Sequence, residues 1–261
     1  MSKITVQTVH EDFDKALDLV KRNSFNLEIA TFAFSNILDT NWEEILEEYK
    51  YKLNNFTGVL SLHGAFMDLY INSRDSKVRE VAEQRIYHCL DIARELNTDY
   101  IVFHGGFIPL IKHESYLRNW VEVHSRFWSE VIKKFDLVIL LENLWEPTPG
   151  IFRLLLDEVN SSQLRICLDT GHINLHSGFS LRDWIATLKD YIPYMHINDN
   201  LGDVDSELPP GEGNIDWQEF SHTLEEEHVK PQIVFEVGSL ENTLKSIEYF
   251  QQGRIYPFNN T

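Results

Sequence analysis

Eight short apolar runs recur along the chain, at 4–9, 26–30, 59–63, 100–104, 137–142, 164–169, 194–198 and 232–237. They are near-continuous rather than alternating, the pattern of strands buried on both faces of a parallel sheet. Between them the spacing becomes helical. Phe13, Leu17 and Val20 share a face over 11–22, as do Val78, Val81, Ile86, Leu90 and Ala93 over 76–96, and Val123, Phe127 and Val131 over 120–134. Shorter helical stretches at 41–51, 151–159, 181–188, 217–227 and 240–250 complete the set. Asp75 or Ser76, Ser180 and Ser239 stand where N-caps belong, since a short oxygen-bearing side chain there accepts from the first free amides.

Eight strand-then-helix units predict an α/β chain whose parallel sheet is covered by helices. The count of eight favours a closed (β/α)8 TIM barrel over an open doubly wound sheet. No Gly-rich dinucleotide or phosphate loop follows the first run, which weakens the open-sheet reading. No linker, low-complexity tract or short-period repeat divides the 261 residues, so a single barrel domain over 1–261 is expected. The longest connection is predicted at 200–216, where Gly, Pro and Asp mark a shaped turn segment.

Six of the runs share an ending. VLSLH stops on His63, YIVFH on His104, VILLE on Glu142, RICLD on Asp169, YMH on His196 and QIVFE on Glu236. An ionisable group at the end of a buried strand is costly unless it is paired or bound to a metal. In a (β/α)8 barrel the active site lies where the strands end, so all six would face one mouth. Glu142, Asp169, His196 and Glu236 would come from the fifth to eighth strands. Three carboxylates and an imidazole around one point call for a cation, and this donor set suits Mn²⁺, Mg²⁺, Co²⁺ or Zn²⁺. His63 and His104 each precede glycine and fit either as ligands or as substrate-contacting residues. A turn at Asp169-Thr170-Gly171-His172 would aim His172 into the same mouth. Asp205 and Glu207 could add two carboxylates, or simply be solvated loop residues. Asn143 could orient Glu142. Trp145 and Trp217 read as core, with a pocket wall as the alternative.

The formal net charge is −18, from 23 basic and 41 acidic residues. That balance counts against a nucleic-acid partner and against an anionic membrane surface. Cys89 and Cys167 have no CxxC partner and read as reduced core thiols. The start, MSKITVQTVHEDFDKAL, has no signal-peptide character, and no run approaches membrane-spanning length. A soluble cytoplasmic protein is expected; assembly into a homo-oligomer is left open.

These motifs, LSLHG, VFHGG, LLEN, CLDTGH, MHINDN through NIDW, and IVFEV, make the chain resemble the xylose isomerase-like TIM-barrel superfamily. That superfamily includes sugar-phosphate isomerases and epimerases and the endonuclease IV family. The resemblance spans nearly the whole chain. It implies that Glu142, Asp169, His196 and Glu236 bind one catalytic metal, as in the sugar isomerases and epimerases. In the endonuclease branch the same positions, with His63, His104, His172 and an Asp-x-His pair, build a three-zinc cluster. This chain reads Asp205-Ser206-Glu207 at that pair, which puts the third zinc in doubt. Gly202 stands six residues after His196, where ketose 3-epimerases tend to carry arginine.

The expected activity is a divalent-metal-dependent sugar isomerase or epimerase acting on a small polyhydroxy carbonyl compound through an enediolate. Glu142 and Glu236 would serve as base and acid, and His172 would hold a substrate hydroxyl. One metal ion is the first expectation, with a second or third site as extensions. A zinc-dependent apurinic endonuclease is the alternative, favoured by His63, His104 and His172 and opposed by the charge. A lyase or dehydratase on the same barrel is a third reading. Few basic residues lie near the strand ends, which favours an unphosphorylated substrate.

Overall fold

Each of the eight apolar runs is a strand in the computed structural model, which describes residues 2–259. The strands are β1 (Ile4–Thr8), β2 (Asn26–Ile29), β3 (Leu60–His63), β4 (Tyr100–His104), β5 (Val138–Glu142), β6 (Leu164–Asp169), β7 (Tyr194–Ile197) and β8 (Gln232–Phe235). Every neighbouring pair is parallel, and β8 pairs with β1, Ile4 opposite Ile233, to close a barrel in sequence order. The strand ends differ from the predicted ones by no more than a residue or two.

Side chains alternate along a strand, so the barrel has two kinds of position. Ile101, Phe103, Ile139, Leu141, Ile166, Leu168, Met195, Ile197, Ile233 and Phe235 face outward, into the core shared with the helices. Val102, Leu140, Cys167, Tyr194 and Val234 form a separate apolar cluster inside the barrel. One step further along each strand, the same inward parity falls on Gln7, Glu28, His63, His104, Glu142, Asp169, His196 and Glu236. A ring of polar residues therefore sits on an apolar floor, at the end where the strands finish.

The predicted helices are present, with caps that explain their starts. Asp75 accepts from the Lys77 amide at 2.8 Å and begins Ser76–Leu96. Ser180 and Asp183 form a reciprocal capping box at 3.1 and 3.0 Å ahead of Leu181–Leu188. Ser239 accepts from Asn242 at 3.2 Å ahead of Leu240–Gly253. The helix expected from residue 120 begins earlier, at Glu114, because His113 accepts from the Ser115 amide at 3.2 Å and caps it. Two short helices were not expected. Ser35–Thr40 buries only Leu38, so it carries no apolar stripe to read. Thr170–His176 replaces the expected turn after β6: the Asp169 carboxylate accepts from the His172 amide at 2.6 Å and starts a helix there. Among the described residues no helix is long and apolar enough to cross a membrane.

Candidate metal centre

Glu142 is the hub of the polar ring. It is fully buried, and its Oε2 lies 3.3 Å from His63 Nε2, 3.4 Å from His104 Nε2 and 3.3 Å from His196 Nδ1. Its Oε1 lies 3.3 Å from His172 Nδ1. His196 Nδ1 also stands 2.9 Å from Glu236 Oε2. None of these contacts is aligned as a hydrogen bond: both Glu142 oxygens and His196 Nδ1 are buried without a hydrogen-bond partner. The atoms converge on common points rather than on one another. Donor atoms roughly 3 Å apart are what one ion held by bonds of about 2.1 Å collects around itself.

Among the described residues four groupings of donors emerge, each with one ligand atom per residue within 4.8 Å of the others: Glu142, Asp169, His196 and Glu236; His63, His104 and Glu142; His63, His196 and Glu236; and Glu142, Cys167 and His196. Glu142 belongs to three of them. His63 donates from Nδ1 to the Gly64 carbonyl at 2.9 Å, which leaves the Nε2 lone pair facing the site. Among the described residues, His172, Asp205 and Glu207 belong to no such group. Asp205 Oδ2 reaches His172 Nε2 at 3.3 Å, while Glu207 lines the pocket beside His63 and Glu236.

The electrostatics show carboxylates competing for positive charge. Burial pushes the Glu142 carboxyl up, but the imidazoles of His196, His104 and His172 outweigh it and hold it well below the usual carboxylate range. Asp169 goes the other way, to about 7: burial raises it, and Glu142 and Glu236 add repulsion that His172 only partly offsets. A divalent cation satisfies this donor set directly, and the unpartnered buried atoms fit one.

Supporting contacts differ from the expected ones. Asn143 does not orient Glu142. Its side chain brackets the Asp169 backbone, accepting from that amide at 2.9 Å and donating to that carbonyl at 3.0 Å, and its own carbonyl accepts from His172 at 2.8 Å. Asn198 donates to Asp169 Oδ2 at 2.8 Å. Trp217 is core and donates to Asp199 at 2.9 Å. Trp145 is on the surface, so the aromatic walls of the roughly 310 Å³ pocket are Phe34 and Phe66 instead.

Three residues of this end of the barrel were missed. Glu28 and Gln7 sit inside the ring, and parity within β1 and β2 was the signal that points to them. Glu146, after β5, is buried and accepts from the Leu144 amide at 2.8 Å and the Phe107 amide at 3.3 Å; burial pushes its carboxyl up to about 7. Nothing in its sequence neighbourhood marks it as buried.

Residues 11–253 match the family described as xylose isomerase-like TIM barrel. Among solved structures, a Thermus thermophilus protein soaked with zinc chloride superposes with a TM-score of 0.80 at 23% identity, over 96% of this chain and 97% of that one. A D-tagatose 3-epimerase-like protein gives 0.76 at 24% identity, over 96% of each chain. Likenesses at that identity speak for the fold. A curated relative named "Probable endonuclease 4", from Aquifex aeolicus strain VF5, is 25% identical over 243 residues, 84% of this chain and 86% of its own. With the eight-stranded barrel, the ring of ligand-type side chains at its mouth and a match over nearly its full length, the chain belongs to the xylose isomerase-like TIM barrel family.

Proposed function

We propose that the protein is a divalent-metal-dependent isomerase or epimerase of a small, unphosphorylated polyhydroxy carbonyl compound. The observation that carries this reading is the convergence of ligand atoms from Glu142, Asp169, His196 and Glu236 within 4.8 Å of one another, beside a pocket that Glu236 and His63 line. A divalent ion held there supplies Lewis-acid polarisation of the substrate carbonyl and its neighbouring hydroxyl. Glu142 and Glu236 flank His196 and reach the site from β5 and β8. One removes the proton α to the carbonyl, and the other returns it to the adjacent carbon or to the opposite face. His172, its Nδ1 committed to the Asn143 carbonyl, holds a substrate hydroxyl through Nε2, the atom that faces Asp205 Oδ2 at 3.3 Å. Phe34 and Phe66 give one wall of the pocket an apolar face.

The segments that follow the eight strands and shape the mouth carry Arg74 and Lys112 as their only lysine or arginine residues. A phosphorylated sugar or a nucleic-acid backbone has no clamp to meet there. The endonuclease reading keeps one specific observation in its favour, the second ligand group of His63, His104 and Glu142.

The test is solvent exchange. Metal-free protein is reloaded separately with Mn²⁺, Co²⁺, Mg²⁺ or Zn²⁺ and incubated with a panel of aldoses and ketoses in D₂O. Deuterium is expected at the carbon α to the carbonyl of at least one sugar, and its incorporation is expected to drop by about 10³-fold or more in Glu142→Gln and Glu236→Gln. Cleavage of abasic DNA by the zinc-loaded protein, with no exchange into any sugar, would overturn the proposal in favour of the nuclease.

A further inference from the structure

Glu28 has no place in the ligand groups, yet it is fully buried in the centre of the ring. Its two oxygens lie 3.1 and 3.3 Å from His196 Nε2. The Tyr194 hydroxyl donates to Oε2 at 2.8 Å, and the Gln7 amide donates to Oε1 at 3.0 Å. The same Gln7 nitrogen donates to Glu236 Oε1 at 2.8 Å. A nitrogen set between two carboxylates acts only as a donor, which assigns the orientation of the Gln7 amide.

We infer that Glu28, joined to Glu236 through Gln7, is a positioning unit that selects which atom His196 and Glu236 present to the metal. The physical reason lies in the imidazole. A neutral ring has one N–H and one lone pair, and the partner of the N–H fixes the tautomer. Glu28 accepts from Nε2–H, so in a neutral, ligating ring the lone pair is on Nδ1, the atom 2.9 Å from Glu236 Oε2 and 3.3 Å from Glu142 Oε2. Gln7 does the matching service for Glu236. By occupying Oε1 it leaves Oε2 to face the site. Tyr194 holds Glu28 from below, and the Ser61 hydroxyl lies 2.5 Å from the Tyr194 oxygen, so the unit is anchored in the barrel floor. Carboxylate partners of this kind stiffen a ligating histidine and raise its basicity.

This inference rests on the metal-site reading and not on the reaction, so its test uses no sugar. ¹⁵N-labelled protein loaded with Zn²⁺, which keeps the ring neutral, is examined for the ring nitrogens of His196, and Co²⁺ affinity is measured by chelator competition for wild type, Glu28→Gln and Gln7→Leu. The expected results are an Nε2–H tautomer in the wild type and a loss of Co²⁺ affinity of about 10- to 100-fold in Glu28→Gln, with a changed visible spectrum of the bound Co²⁺. A smaller loss is expected in Gln7→Leu. A thermal melt of each metal-free variant confirms that it is folded. An Nδ1–H tautomer in the wild type would overturn the inference, as would Co²⁺ affinity within twofold of wild type in folded Glu28→Gln. Should Glu28→Gln not fold, the wild-type tautomer and Gln7→Leu decide the matter. Glu28-dependent Co²⁺ binding without any sugar exchange would sink the proposed reaction and leave the positioning unit standing.

Discussion

His63 Nε2 stands 3.3 Å from Glu142 Oε2, the same oxygen that His104 and His196 approach from other strands. One carboxylate thereby serves both the His63–His104 pair and the quartet around His196 as candidate donor groups, and its loss should have a different signature from the loss of either neighbour.

Elemental analysis of zinc-reloaded protein checks this. His63→Asn and His104→Asn are each expected to remove about one ion per chain at most, because the quartet around His196 keeps its own four donors. Glu142→Gln is expected to weaken both groups together. Full zinc occupancy in Glu142→Gln would rule out the shared-carboxylate arrangement.

Asp199 is buried two residues after the end of β7 and organises the following loop. Its Oδ1 accepts from the amides of Asn200 and Ile215 at 3.0 and 3.1 Å, and its Oδ2 from Gly211 and the Trp217 ring at 2.9 Å each. An amide can accept on only one side, so Asp199→Asn turns one pair of contacts into donor against donor. A loss of about 2–4 kcal/mol is expected in urea unfolding, with faster proteolysis within 200–216. Unchanged stability and protease resistance would refute this role.

Gly171 lies where a helix starts against the loop after β7. A methyl group there would collide with the Asn198 side-chain oxygen, and Asn198 is the residue that holds Asp169 Oδ2 at 2.8 Å. Gly171→Ala is expected to cost about 1–3 kcal/mol of stability through overpacking and to weaken metal binding through Asp169. Calorimetry with and without Mn²⁺ measures both effects. A variant that melts and binds like wild type would show that the loop simply moves aside.

His124 gives the protein an acid-side weakness. It is buried on Glu114–Ile132, stacked on Trp120, and it accepts from Trp128 Nε1 at 3.2 Å. Burial lowers its pKa from 6.5 to about 3. The folded protein keeps it neutral while the unfolded chain takes a proton, so the unfolded state binds more protons between those values. Its contribution is full above pH 6.5 and is lost as the pH falls toward 3, by at most about 1.4 kcal/mol per pH unit. His124→Gln keeps an acceptor for Trp128 and should flatten unfolding free energy against pH from 6.5 downward. An unaltered slope would assign the acid sensitivity to other groups.

The barrel was legible because its strands are buried on both faces and so read as unbroken apolar runs. The six polar strand-end positions stood out because each interrupts such a run at its last inward step. Gln7 and Glu28 take the same inward step, but Thr8 and Ile29 follow them and close the strand on an ordinary residue. Reading the final residue misses them; counting parity back from the floor finds them. The helix Thr170–His176 was hidden for another reason. Its start is dictated by Asp169 acting as a cap, and a residue with a predicted ligand role gives no local hint that one of its oxygens is also a helix terminator. Glu146 owes its burial to loops that meet only in three dimensions.

The near absence of lysine and arginine around the mouth also has a kinetic consequence. A cleft of one sign with low-dielectric walls focuses its field and raises the local concentration of opposite charge. Divalent cations should be drawn toward the barrel mouth and delivered faster than free diffusion alone would bring them. Anionic competitors are turned away before they reach the floor. Rising ionic strength screens that field, so the rate of metal capture should fall with salt while the affinity set by the buried donors changes far less.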